Sequence, residues 1–359
     1  YVVSALLTVQ ALLVMALALL LAWAGWGIRG QFLAVVLGGL PYALGLAWLG
    51  RAAQPGVVRA AVAGPDAPDA RRRLRRLDGP TLVCDVASRV SLLSDSIVLA
   101  LVLGPTAVVP VFATQRLATL AQGQLQGVGN ASWAALAELH HQGDQTRFNA
   151  RVVELTRLVA VLGVAVLVPI AVYAPRFVAL WVGASRFAGY GVSVVAAVNA
   201  YLLAVVSLWG WCLTGTGRVA RLARPALVQA VVNVAASVAL TGWLGLIGPS
   251  LGTLVGLLGV SVWYLPRLLQ QEFGTPARAL YGAVARPVVV GVPYAFALLW
   301  LGATHAPGGW LALAVHLVVA AAVVPAFWWR VMLRGTERSA LRSILRAQIG
   351  HVWSRRLAT

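Results

Sequence analysis

The chain has no lysine, little negative charge and almost no cysteine. All 28 of its basic residues are arginine, set against 10 acids, and only 11% of the 359 residues are charged. Cys84 and Cys212 fall in different apolar stretches with no CxxC and no Cys/His cluster, which argues against a structural disulfide and a metal site. The shortage of charge excludes more. A soluble domain is not expected to be 60% hydrophobic with a mean hydropathy of +0.84. Repeated apolar runs of about 20 residues instead predict an all-α, polytopic membrane protein. The pI near 11.5 would suit a nucleic-acid partner. The arginines, however, lie between apolar spans and form no patch on a soluble domain, so no nucleic acid is expected. Arginine in place of lysine, with abundant Ala, Gly, Pro and Val, reads as the composition of a GC-rich bacterial genome.

Ten spans are predicted, at 3–26, 31–49, 81–104, 107–128, 155–174, 188–209, 225–244, 248–266, 285–302 and 309–329. Gly104-Pro105, Gly248-Pro249 and Pro307-Gly308-Gly309 punctuate the short turns. The chain opens at Tyr1 directly on an apolar span, without Met or a charged leader, so it does not read as a signal peptide and a missing N-terminus is expected.

Arginine sets the direction of the spans. One alternate set of connections holds Arg51, Arg59 and the run Arg71-Arg72-Arg73-Leu74-Arg75-Arg76, then Arg147, Arg151, Arg157, Arg218, Arg221, Arg224, Arg267, Arg278 and Arg286. The tail adds seven more, from Arg330 to Arg356. The opposite set holds only Arg29, Arg176 and Arg186. The positive-inside rule makes the rich set cytoplasmic, with the first span running outward and the C-terminus inside. The outer connections are short and contain no Asp or Glu, whereas an outer-face ligase or polymerase needs an acidic base or a sizeable loop. Asp66, Asp69, Asp78, Asp144 and Glu154 on the other side have no DxD or catalytic spacing. A non-enzymatic role is therefore expected, with no catalytic residue and no cofactor.

The span at 81–104 is unusual because it carries Asp85, Arg89 and Asp95. Charges at that depth cost about 3 kcal/mol each on insertion scales and face a partner or an aqueous path. At about 100° per residue, Asp85, Ser88, Arg89, Leu92, Asp95 and Ser96 share one arc, and Val83, Val86, Val90, Leu93 and Ile97 take the other side. That pattern is the wall of a polar cavity inside a bilayer, as a transport path requires. A rise of about 1.5 Å per residue puts Arg89 roughly 12 Å and Asp95 roughly 21 Å from the inner face, with Arg116 roughly 14 Å from the outer face. Two guanidiniums near the middle of the membrane can bind phosphate or pyrophosphate bidentately. Asp95 or Asp85 would balance charge or exchange a coupling ion. The plainer alternative for Asp85 and Arg89 is an i,i+4 pair that neutralises itself.

Amides accompany these charges. Gln115, Gln122, Asn199 and Asn233 are candidates to face a hydroxyl-rich solute such as a sugar; Gln124, Gln126, Asn130 and Gln229 extend the group. For each one, bonding a neighbouring helix is the more ordinary role. His140 and His141, beside Gln142-Gly143-Asp144, read as solvated residues of a cytoplasmic turn. Arg71–Arg76 and the tail, whose arginines recur every four residues beside Leu341, Ile344, Leu345, Ile349 and Val352, should lie on the inner surface against anionic lipid.

Ser94-Asp95-Ser96-Ile97, Leu103-Gly104-Pro105 and Phe112-Ala113-Thr114-Gln115-Arg116-Leu117 follow one another in an order that resembles the second lobe of the polysaccharide flippases. These belong to the multidrug/oligosaccharidyl-lipid/polysaccharide exporter superfamily. Trp133 to Leu139 with Gln142-Gly143-Asp144, and Leu180-Trp181-Val182-Gly183, are similar to later segments of that family. The resemblance spans about residues 80–270. It implies two lobes of six helices, a central cleft and alternating access. Residues 1–79 would be the last two helices of a truncated first lobe plus the Arg-rich connection, and 80–270 the second lobe. Two additional helices would fill 271–330, and a basic amphipathic tail 331–359.

The resemblance further implies a multi-pass protein of the bacterial inner membrane. It would flip a polyprenyl-pyrophosphate-linked oligosaccharide for cell-surface polysaccharide synthesis, with pyrophosphate on Arg89 and Arg116. The alternatives are a multidrug/cation antiporter of the same superfamily and a membrane enzyme of the O-antigen ligase or polymerase type. Arginine at the centre favours an anionic substrate over a drug cation.

Overall fold

Proline sits inside helix after helix, at Pro41, Pro80, Pro169, Pro175, Pro225, Pro266, Pro287, Pro293 and Pro325. In water a mid-helix proline ends or kinks the element. In a bilayer the freed carbonyl has no water to turn to, so the helix continues around the ring. A computed structural model describes residues 2–53, 68–305 and 307–327, and the described residues contain helices and turns but no strand. The expected tail at 331–359 and the side chains of Arg71–Arg76 lie outside them.

The helices are α1 (Val2–Trp23), α2 (Gly27–Ala53), α3 (Pro68–Val102), α4 (Val108–His141), α5 (Gln145–Trp181), α6 (Tyr190–Gly215), α7 (Ala220–Leu244), α8 (Gly248–Gly256), α9 (Val262–Phe273), α10 (Ala277–Thr304) and α11 (Trp310–Phe327). A π-helical turn, Leu257–Ser261, joins α8 to α9. Each of the ten expected spans falls on this helical frame. Among the described residues, seven stretches are long and apolar enough to cross a membrane. The lower count has two causes: Ala220–Phe273 is one apolar stretch covering two expected spans, and α3 and α4 are too polar to be included.

By contacts the chain divides into two units, Tyr1–Arg73 and Leu74–Thr359. In the first, α1 and α2 form a helical hairpin. Gly30, Ala34 and Gly38 are buried along one face of α2, and a Cβ at Gly38 would collide with Val14. Small residues four apart let two membrane helices approach closely. Gln31 Nε2 adds a hydrogen bond to the Ala18 carbonyl at 3.1 Å.

The second unit is organised around α5. It packs against α4 and α6 on one side and α10 and α11 on the other, and buries Val152, Val159, Ala160, Leu167 and Val178. Its buried Thr156 hydroxyl bonds the Val152 carbonyl at 2.8 Å and accepts from the Trp209 indole at 3.1 Å. Leu101, Trp243, Val289 and Leu311 are more than two-thirds exposed. Apolar surface on that scale belongs against lipid, and the chain is a multi-pass membrane protein.

At the end with the arginine-rich turns, three connections lock together. Gln145 and Asn149 of α5 donate to the Phe273 carbonyl at 2.7 and 3.1 Å, and Thr275 donates to Asn149 at 2.6 Å. Gly274 closes α9 in the left-handed region (φ 69°), which a side chain would strain. Glu272 accepts from Arg218 at 2.8 Å and lies 3.4 Å from Arg221, while Arg218 also covers the Phe273 ring at 4.5 Å.

His140 differs from the sequence expectation. It packs between Phe148 and Phe273, with ring centroids at 5.7 and 5.2 Å. Its Nε2 is 3.4 Å from Arg218 Nη1. Arginine can only donate, which makes Nε2 the acceptor in this contact, and Nδ1 is buried with no hydrogen-bond partner among the described residues. Glu272→Gln removes the shared counterion of two arginines and should cost about 2 kcal/mol, read as a lower unfolding midpoint of the purified protein.

Candidate functional site

The polar centre of the second unit is built by glycine. Gly248, Gly252 and Gly256 repeat every four residues along α8 and its continuation, all three buried. A Cβ on Gly248 would lie inside the Thr241 backbone, and one on Gly252 inside the backbone of Ser237. Helices α7 and α8 therefore touch backbone to backbone, the closest approach available in lipid. That contact sets Thr253 beside Asn233.

Asp95 joins them from α3. Thr253 Oγ1 lies 3.2 Å from Asp95 Oδ2, 3.4 Å from its Oδ1 and 3.2 Å from Asn233 Oδ1. Ser237 Oγ is 3.1 Å from the same Asn233 oxygen and 3.3 Å from the Pro249 carbonyl. Asn233, 1% exposed, donates its amide to the Ser91 carbonyl on α3 at 3.4 Å. Six oxygens are thus linked in one hydrogen-bonded chain: two of Asp95, one each of Thr253, Asn233 and Ser237, and the Pro249 carbonyl. Two hydroxyl protons are all the network has to share among them. A cluster with more acceptors than hydrogens can take a proton on Asp95 or a small hard cation among the oxygens.

A second group of amides bonds to Ser250 on α8. Gln115 Nε2 donates to Ser250 Oγ at 2.6 Å, and Asn199 Nδ2 to the Ser250 carbonyl at 2.7 Å. Asn199 is buried and its Oδ1 has no partner among the described residues. Further along, Ser261 in the π turn donates to Gln229 of α7. Three of the four sugar-facing candidates, Gln115, Asn199 and Asn233, thus spend hydrogen bonds on neighbouring helices, as do Gln126, which donates to Ser207 of α6, and Gln229. Gln122 is half-buried with no hydrogen bond among the described residues.

The arginines are placed differently. Arg89 and Asp85 are both exposed on α3, and the ion pairs among the described residues join neither of them to the other. The i,i+4 neutralisation considered from sequence is not formed. Arg116 is half-buried on α4, its guanidinium 5.5 Å from the Phe112 ring, an aromatic face that holds the cation without neutralising it. The face of α3 that packs on neighbours is Ala87, Ser94, Val98 and Leu99, with Ser91 and Asp95 partly covered beside them. Asp95 thus lies on the packed side, while Asp85, Ser88, Arg89, Leu92 and Ser96 of its predicted arc are exposed. Thr253, Ser237 and Ser250 were not foreseen as site residues. The signal that would have found them is the Gly248/Gly252/Gly256 repeat, which marks where α8 must touch another backbone.

No protein-family model and no curated protein sequence matches this chain. Among solved structures it is similar to the lipid II flippase MurJ in its inward closed conformation, with a TM-score of 0.60 and 11% sequence identity. The match covers 91% of this chain and 67% of that one. At that identity the likeness is one of fold, and it agrees with the all-α, polytopic membrane fold class expected from the sequence. The chain is a membrane-spanning protein, all-helical among the described residues, with a fold similar to that of MurJ.

Proposed function

We propose that this protein flips a polyprenyl-pyrophosphate-linked oligosaccharide across the bacterial inner membrane, by alternating access, for cell-surface polysaccharide synthesis. The observation that carries the reading is a flippase fold with two arginines in polar helices, Arg89 on α3 and Arg116 on α4, neither paired with a carboxylate among the described residues. A guanidinium without a counterion inside a membrane is unfavourable until an anion arrives. Pyrophosphate supplies the charge and matches the planar fork. Gln122, with its amide uncommitted, is the best placed of the sugar-facing candidates to meet a hydroxyl group.

Asp95 takes the coupling role, with Asp85 left to balance charge on the exposed face of α3. A proton or hard cation held among Asp95, Thr253, Asn233, Ser237 and Pro249 would pull α3 toward α7 and α8. Its release would let α3 move, so the ion biases which face of the carrier is open. The rival reading, export of an organic cation, is favoured by the same Asp95 carboxylate.

Binding separates the two. Purified protein should retain a polyprenyl-pyrophosphate oligosaccharide and lose it with Arg89→Ala or Arg116→Ala, each by about tenfold or more. Retention of lipophilic cations that depends on Asp95, with no effect of either arginine, would favour the rival.

A further inference from the structure

The opposite end of the second unit, poor in arginine, holds a cavity of about 540 Å³ that the transport reading does not use. Its walls are Val172, Pro175 and Ala179 of α5 with Leu299, Gly302 and Ala303 of α10. Tyr190 at the start of α6 and Pro307 in the α10–α11 turn complete the rim. The one cation in the lining is Arg176, whose Nε donates to the Pro307 carbonyl at 2.5 Å and whose Nη2 donates to the Gly308 carbonyl at 2.9 Å. Those bonds fix the guanidinium and leave its charge unbalanced. No carboxylate pairs with Arg176 among the described residues, and the connections predicted at this end contain no Asp or Glu.

Depth says what kind of anion can reach it. Arg176 lies five residues before the end of α5, about 8 Å inside the helix terminus. Phe177 contacts Trp181 at 5.4 Å and Trp310 at 5.9 Å, and Trp181, Trp310 and Tyr190 are all about half exposed. Aromatic residues grouped in this way mark the headgroup layer of a bilayer. Tyr173, 3% exposed, lines the cavity, and its buried hydroxyl has no hydrogen-bond partner among the described residues. The cavity is apolar along most of its wall, cationic at one point and too small for a whole lipid.

We propose that this cavity is a binding site for the phosphate headgroup and first chain carbons of an anionic bilayer phospholipid, with Arg176 on the phosphate. The occupant bridges α5, α6 and α10 and fixes the α10–α11 turn without entering the transport path. Gly302 helps to make the room. A Cβ there would touch Tyr173 and Val172 and take up part of the space that they border.

The test is native mass spectrometry of the purified protein exchanged into micelles carrying phosphatidylglycerol or phosphatidylcholine. Wild type should retain phosphatidylglycerol in preference, and Arg176→Gln should weaken retention by about tenfold, the loss of one charge-assisted contact. Because Arg176 also holds the turn, Ala303→Phe is the second variant: it keeps the clamp, fills the cavity and should remove the preference with an unchanged unfolding midpoint. Equal retention of the two lipids by wild type would overturn the proposal. So would normal phosphatidylglycerol retention by Ala303→Phe, or displacement of bound phosphatidylglycerol by a polyprenyl pyrophosphate, which would assign the cavity to the transported substrate.

Discussion

Gly252→Leu should abolish transport and leave little folded protein. The substituted side chain has nowhere to go, because it meets the Ser237 hydroxyl and, with it, the backbone nitrogen and Cα of the same residue, which cannot swing aside. Overpacking in a core that can yield costs about 1–3 kcal/mol; here α7 and α8 must separate, and the cost should lie at or above the top of that range. Separation also carries Thr253 away from Asn233 and Asp95, so the oxygen cluster is lost together with the helix contact. Gly259→Leu is the control, since a Cβ there meets nothing within 4 Å. Monodisperse yield in detergent, compared for the two variants, checks the expectation.

Asp95→Asn should fold and fail to couple. Asparagine keeps the shape and can still accept from Thr253, but it removes the carboxylate charge and brings two hydrogens of its own to a cluster whose excess of acceptors is what holds a proton or cation. Losing the charged partner of a bound proton or cation corresponds to about 10- to 100-fold in turnover. The sharper readout is the gradient: transport by wild type should respond to an imposed proton or sodium gradient, and transport by the variant should not. Flux in wild type that is indifferent to both gradients would remove the coupling role from Asp95 and leave it a packing residue.

How much of this was legible beforehand follows from what sequence periodicity can encode. Apolar run length placed helices on all ten expected spans, because a bilayer-spanning helix must be long and self-satisfied in its hydrogen bonds. The abnormal charge content of 81–104 singled out Asp95. Its partners were out of reach: Thr253 lies 158 residues away, and nothing in the local pattern of α3 names α8. Faces can be read from a helical period, but which face packs depends on neighbours. Asp95 was therefore grouped with Arg89 when the packed side of α3 runs through Ser91 and Ser94.

His140 was assigned to solvent because polar turns normally are solvated. Its burial depends on Phe148, Phe273 and Arg218, brought together from three different connections. The π turn at Leu257–Ser261 has no sequence signature of its own. It sits where Ser261 reaches Gln229, and an extra residue in one turn re-aims the helix there.

The central claim is that the two membrane arginines carry an anionic, lipid-linked substrate. It is tested most directly by following leaflet-resolved lipid-linked oligosaccharide in cells whose own copy of the gene is deleted. The wild-type gene, Arg89→Ala and Arg116→Ala would be supplied at matched membrane expression. The account predicts that wild type moves the oligosaccharide outward and that both variants leave it in the inner leaflet. Normal flipping by both variants would contradict it.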